Sequence, residues 1–229
     1  VDNAGGGVAN DGTAVYKNVG NTDNLTVNNN GSNATVNNTG NIDNAQITTV
    51  TDASSNYNNS GNTGNLDADI SNNGFMKIDN SGNLDNATTS TADNSQSIYN
   101  NSGNTSNLAS TTTDFSQSRI NNTGSFSNAG LFAGWGSQAN FVNHGSSENT
   151  ASVAGQFGQV NMFNYGDMNY TSLYSQSAGQ SNLFNAGNVN NTNVQAKDPG
   201  AQVNVHTLYG FINNLFGNAN NNASVNIFS

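Results

Sequence analysis

The stretch Ile98-Tyr99-Asn100-Asn101-Ser102-Gly103-Asn104-Thr105-Ser106-Asn107-Leu108 decides how the chain is read, because close variants of it recur along almost the whole length. Aligned on the glycine, the copies place Gly20, Gly40, Gly61, Gly82, Gly103, Gly124, Gly145, Gly166 and Gly187 at one interval of 20 residues and then seven of 21. Self-similarity at this period marks an array whose units bury their apolar faces only against their neighbours.

The repeat reads as columns. Four residues before each glycine (offset −4) stand Tyr16, Val36, Tyr57, Ile78, Tyr99, Ile120, Phe141, Met162 and Leu183, all apolar or aromatic. At offset −2 the residue is always Asn: Asn18, Asn38, Asn59, Asn80, Asn101, Asn122, Asn143, Asn164 and Asn185. Offset −6 holds small or apolar residues such as Ala34, Ser55, Met76 and Ala139. Offsets −6, −4 and −2 therefore form one face of a strand by period-2 alternation, and that face points inward.

After the glycine comes a polar corner ending in Asn24, Asn44, Asn65, Asn86, Asn107, Asn128, Asn149 and Asn191, with Tyr170 the exception. A second strand follows, and its inward offsets +5, +7 and +9 hold Leu25, Val27, Ile47, Leu66, Ile70, Leu131, Ala133, Leu173 and Val194, mixed with Thr and Ser. A looser turn closes the unit and carries Gln96, Gln117, Gln138, Gln159 and Gln180 in five consecutive copies.

Two short strands and two turns per repeat make one rung of an all-β fold, a β-solenoid or stacked β-arch, with rungs about 4.8 Å apart. Nine such repeats and an irregular last rung would build a body of roughly 45 to 50 Å at that spacing. A helical reading fails, since the inward columns follow period 2 and Asn, Gly, Ser and Thr are poor helix formers. An inward Asn column is satisfied if each amide donates to the carbonyl oxygen of its neighbour one rung away. The glycine is expected to supply a positive φ in a tight turn.

Composition alone points elsewhere. Leu, Ile, Val and Phe are only 43 of 229 residues, a proportion typical of disordered chains. A random coil has no reason to return a residue type every 21 positions, so the period outweighs the composition. The net charge of −10 comes from 18 charged side chains, and the four basic ones, Lys17, Lys77, Arg119 and Lys197, are scattered along the chain. Without a basic stripe to neutralise phosphates, no nucleic-acid partner is expected. No long apolar run predicts a membrane span, and with no cysteine there is neither disulfide nor thiolate metal site. The chain opens at Val1 rather than Met, as a processed or trimmed chain would.

The sequence divides into a Gly-rich lead-in over residues 1–13 with little regular structure expected, solenoid repeats over 14–196, and a divergent rung and end segment over 197–229. The last begins at the turn Lys197-Asp198-Pro199-Gly200 and finishes on the β-prone Val225-Asn226-Ile227-Phe228.

Reactive chemistry is sparse. His144 and His206 stand at unrelated offsets and read as surface residues. Asp23, Asp43 and Asp85 share offset +3, and Asp93, Asp114 and Asp198 share +11, a pattern in which Ca²⁺ would bridge rungs. The columns are incomplete and the Gly-Gly-x-Gly-x-Asp repeat is absent, so solvated corners are the preferred reading. The Thr-rich runs Thr48-Thr49 and Thr111-Thr112-Thr113 do not persist as an ice-binding column. No catalytic, cofactor-binding or metal-binding residue is assigned, and an enzyme is not expected.

The unit Ser97-Ile98-Tyr99-Asn100-Asn101-Ser102-Gly103-Asn104 resembles the curlin repeat, in which an amide residue sits two before a glycine and an apolar residue two before that. Here Asn stands where curlin repeats carry Gln, and the period is slightly shorter. The resemblance covers residues 14 to about 195. It implies a secreted, extracellular functional amyloid of the biofilm matrix whose rungs stack within and between subunits into adhesive fibres.

The sequence shows no charged cap, helix or proline blocking either end, so head-to-tail polymerisation of the chain with itself is expected, alongside a nucleator or cell-surface anchor. Two alternatives stand beside this: a monomeric β-solenoid adhesin or module recognising a surface, glycan or ice, and a subunit of an archaeal sheath or surface fibre.

Overall fold

The computed structural model describes residues 3–9 and 12–228. Among the described residues every regular element is a strand, numbered along the chain from β1 (Asn3–Ala9), β2 (Thr13–Asn18), β3 (Asn21–Asn30) and β4 (Asn33–Asn38) to β21 (Phe211–Ala219) and β22 (Ser224–Phe228). The odd strands stack in sequence order in one 11-stranded parallel sheet, and the even strands do the same in a second. The chain therefore alternates between two facing sheets and climbs one rung per repeat. No helix long and apolar enough to cross a membrane occurs among the described residues.

The stacking is in register: Tyr57 lies opposite Ile78, Ile78 opposite Tyr99, Tyr99 opposite Ile120 and Ile120 opposite Phe141. Register is held because a one-residue slip would turn every inward side chain outward. The core between the sheets takes offsets −6, −4 and −2 from the even strands and +5, +7 and +9 from the odd strands, with Val27, Val36, Tyr57, Ile78, Leu131 and Phe141 all buried.

The core has a further inward column that the sequence reading placed in a polar corner. At offset +2, Ile42, Leu84, Phe126, Met168 and Val189 are buried in odd strands, with Thr63, Thr105 and Ser147 buried at the same offset between them. From β3 onward the odd strands begin directly after a glycine, and in the regular rungs two consecutive residues, at +3 and +4, both turn away from the core. That double exposure shifts the phase of the alternation, so a single period-2 template misses the residues before it.

Hydroxyl pairs complete the core where apolar residues are scarce. Thr49 Oγ1 donates to Ser55 Oγ at 2.8 Å, Thr91 to Ser97 at 2.9 Å and Thr112 to Ser118 at 2.8 Å, each linking the two sheets within one rung. A buried hydroxyl costs little once it is bonded.

The lead-in differs from expectation. β1 pairs in parallel with β3, Asn3 opposite Asn24 and Ala9 opposite Asn30. Three successive glycines disfavour a strand, but an in-register partner outweighs that propensity. Positions 1, 2, 10 and 11 lie outside the described residues.

The divergent end also continues the stack. Val203 lies opposite Ser181 and Val225 opposite Val203. Its lost spacing has a simple cause: each of the two turns between Lys197 and Phe211 is one residue longer than in the rung before, while the strands keep their register.

The looser turn is built from paired left-handed residues. Thr51 and Asp52, Asn72 and Asn73, Asp93 and Asn94, and Asp114 and Phe115 all have φ between 54° and 62°. Asp and Asn tolerate this conformation better than other non-glycine residues. The shared offset of Asp93, Asp114 and Asp198 is thereby explained by backbone geometry.

Candidate functional site: amide ladders and open strand edges

The Asn column at offset −2 forms one continuous chain of side-chain hydrogen bonds. Nδ2 of Asn18, Asn38, Asn59, Asn80, Asn101, Asn122, Asn143 and Asn164 each donates to Oδ1 of the next Asn, ending at Asn185, at 2.8 to 2.9 Å throughout. From Asn38 onward these side chains are at most 2% exposed. Each amide also fastens the corner. Asn101 Nδ2 reaches the carbonyl of Gly103 in its own rung at 3.1 Å and that of Ser125 in the next at 3.3 Å. The ladder stops beyond Asn185 because Thr207 takes the next position.

The glycine column has a different cause from the one expected. None of Gly20, Gly40, Gly61, Gly82, Gly103, Gly124, Gly145, Gly166 and Gly187 has a positive φ; Gly31, Gly136 and Gly200, in the looser turns, do. The constraint is contact between rungs. A Cβ on Gly82 would collide with the carbonyl oxygen of Gly61, and the same holds along the column from Gly40 to Gly187. Gly20, whose corner has no stacked neighbour on that side among the described residues, has nothing within 4 Å.

The −4 column carries two buried phenols. Tyr57 Oη bonds Thr63 Oγ1 at 2.7 Å, and Tyr99 Oη bonds Thr105 Oγ1 at 2.9 Å. Burial pushes the Tyr57 hydroxyl up to about 12 and moves Tyr99 in the same direction, each partly offset by its hydrogen bond. The folded chain thus keeps these protons at a pH where the unfolded chain, titrating near 10, has lost them. Stability is full below about pH 10 and falls by about 1.4 kcal/mol per pH unit for each tyrosine above it. Urea midpoints between pH 9 and 12 are expected to drop steeply, and Tyr57→Phe with Tyr99→Phe to flatten the drop.

Further amide ladders run along the exterior, with the opposite polarity. Asn44 Nδ2 donates back to Asn24 Oδ1 at 3.1 Å, and Asn65, Asn86, Asn107, Asn128 and Asn149 continue the row at 2.7 to 3.0 Å. Opposed rows of amide dipoles offset one another along the axis. Tyr170, which has φ 53°, interrupts the row; beyond it Asn214 bonds Asn191 at 3.0 Å in the same column, and a neighbouring row runs beside it, with Asn190 on Asn169 at 2.8 Å and Asn213 on Asn190 at 3.0 Å.

On the outer face of the even sheet the later rungs replace amides by rings. Phe163, Phe184, His206 and Phe228 form a near-parallel stack with centroids 5.0, 5.2 and 4.5 Å apart, and His144 stacks on Tyr165 at 4.7 Å. Both histidines are therefore members of surface stacks. No group of three His, Cys, Asp or Glu is assembled among the described residues.

No family model, curated protein or solved structure matches this chain. Kinship with curlin thus has no support from family matches, and the statement that stands is the coarser one: a repeat protein with a parallel β-solenoid fold.

Within this chain β1 and β2 at one end, and β21 and β22 at the other, have a strand neighbour on one side only. Apolar side chains gather there. Val15 and Val19 are exposed at the first end, and Phe211, Phe216, Ile227 and Phe228 at the second. Tyr16 and Val225, members of inward columns, are only partly buried.

Proposed function

We propose that this chain is a self-assembling, secreted structural protein whose solenoids stack head to tail into an extracellular, amyloid-like fibre for matrix building or adhesion. The observation that carries the reading is the in-register parallel stack of both sheets threaded by a continuous ladder of buried amides, so that an open strand edge on such a stack would accept another copy's strand in the same register. Unpaired edges of this kind template further strands.

Extending the observed columns sets Ser224–Phe228 of one copy over Thr13–Lys17 of the next, with Val225 above Ala14 and Ile227 above Tyr16. A heterologous contact with this geometry does not close and so propagates.

Dilution of the purified chain from denaturant into plain buffer should yield unbranched filaments with a meridional repeat of about 4.7 to 4.8 Å. Ile227→Lys, which puts a charge on the growing edge, should suppress filaments while leaving the strand circular dichroism intact. A folded wild-type monomer whose sedimentation is independent of concentration would reject the assembly reading.

A further inference from the structure

We propose that a groove on the outer face of the even sheet binds a linear, uncharged glycan, with its walls of amides and hydroxyls as the recognition surface. The groove has a volume of about 410 Å³ and follows the stacking axis over five rungs, from Asn37 and Thr39 to Asn121 and Thr123. One wall is the row of amides at offset −3, the other the row of hydroxyls at offset −1.

The wall groups have capacity to spare. Asn58 uses one N–H to reach Asn37 Oδ1 at 2.8 Å, and Asn121 one to reach Asn100 Oδ1 at 2.7 Å, so each amide keeps a second N–H. Opposite them, Ser60 and Ser81 each donate to a backbone carbonyl of the rung before at 3.2 Å, leaving the hydroxyl oxygen as acceptor. Amide donors thus line one side at Asn58, Asn100 and Asn121 and hydroxyl acceptors the other, while at the rung of Asp79 both walls accept. A polyol, which offers both on each residue, matches this arrangement.

The axial repeat selects the class of polymer. Equivalent groups recur about every 4.8 Å, whereas an extended peptide advances about 3.3 Å per residue and falls out of phase within two rungs. A chain of β-1,4-linked pyranose rings advances by slightly more than one rung per ring and turns alternate rings over, so its like-facing hydroxyls meet equivalent wall groups at every second rung.

Charge selects within that class. The single carboxylate in the walls, Asp79, is paired with Lys77 at 2.6 Å and accepts from Asn100 at 2.7 Å. Arg119 is partly engaged by Asn121 at 2.9 Å. The groove therefore offers no cationic track, and the chain as a whole, at −10, repels polyanions. The groove also has a defined end: the same two columns carry Val142 and His144 in the next rung, then the large rings of Phe163 and Tyr165.

The test is calorimetric titration of the full chain with a β-1,4-linked glucan hexamer and, in parallel, with an oligogalacturonate of equal length. Ser81→Tyr with Ser102→Tyr fills the groove in a column where Tyr165 already stands, and Ser172→Tyr on the outside of the other sheet is the control. Asn58→Ala with Asn100→Ala removes donors without adding bulk and serves if the tyrosine pair fails to fold.

The glucan should bind, each groove variant should weaken it about tenfold, equivalent to roughly one or two neutral hydrogen bonds, and the control should leave it unchanged. Absence of glucan binding, equal binding by all folded variants, or binding of the oligogalacturonate alone would each overturn the assignment, the last by moving recognition to Lys17 and Arg119. Monomer and fibre carry the groove alike, so the outcome is separate from that of the assembly test.

Discussion

Asn101→Asp is expected to destabilise the fold by about 3 to 5 kcal/mol at neutral pH, the range for an uncompensated buried charge. The native amide accepts from Asn80 and donates to Asn122, Gly103 and Ser125. A carboxylate can still accept from Asn80, but it faces three acceptor oxygens that it cannot satisfy.

The sign of the pH dependence follows. Burial and the facing oxygens raise the folded pKa of the new acid above the unfolded value near 3.9. Its protonated form donates one bond, so stability is best below that value and is lost as pH rises through the folded pKa. Urea melts at pH 4 and pH 7 should therefore diverge for the variant. Asn122→Asp added to it should cost more than the sum of the two, since the carboxylates would stand one rung apart.

Asn86→Asp in an exterior ladder is the comparison. Asp79 already occupies such a row, and the cost there should be within about 0.5 kcal/mol. Equal costs at Asn86 and Asn101 would mean that burial is not what makes the inner ladder matter.

Gly82→Ala is expected to be at least as damaging, above about 4 kcal/mol or enough to prevent folding, because its Cβ would overlap the Gly61 carbonyl. Relief would require the corners to separate, which breaks Gly82 N–H to Asn59 O at 3.3 Å and Asn83 N–H to Gly61 O at 3.1 Å. Gly20→Ala, in open space, should change stability by no more than about 0.5 kcal/mol. Thermal melts of the two variants separate the explanations: comparable losses would restore a conformational role for the column, while a loss confined to Gly82 assigns it to rung contact.

Much of the fold was legible because the repeat converts one local pattern into a stack. The inward −4 and −2 columns, the strand pair per rung and the in-register ladder all follow from a constant period and alternation. The +2 column was hidden, since Thr22, Thr63, Thr105 and Ser147 interrupt it with polar residues and the two outward residues after it break the alternation. The strand at Asn3–Ala9 was hidden too. Its glycines carry no pattern, and only the neighbouring β3 edge makes a strand of them.

Lys17, Lys77 and Arg119, read as scattered, share the outer face of the even sheet, because offsets −5 and −3 point the same way once the strand forms. The groove between amides and hydroxyls was likewise invisible, as it exists only where residues one rung apart stand side by side.

The sequence by itself determined the solenoid, its period, its inward amide column and the place of each corner, because those depend on neighbours along the chain and on one repeated spacing. Tertiary structure decided the rest: that the corner glycines are needed for contact between rungs, that the amide rows run in opposing directions, and which polar columns face each other across a groove. Those properties arise between residues some 21 positions apart, where distance and direction, not residue type, set the interaction.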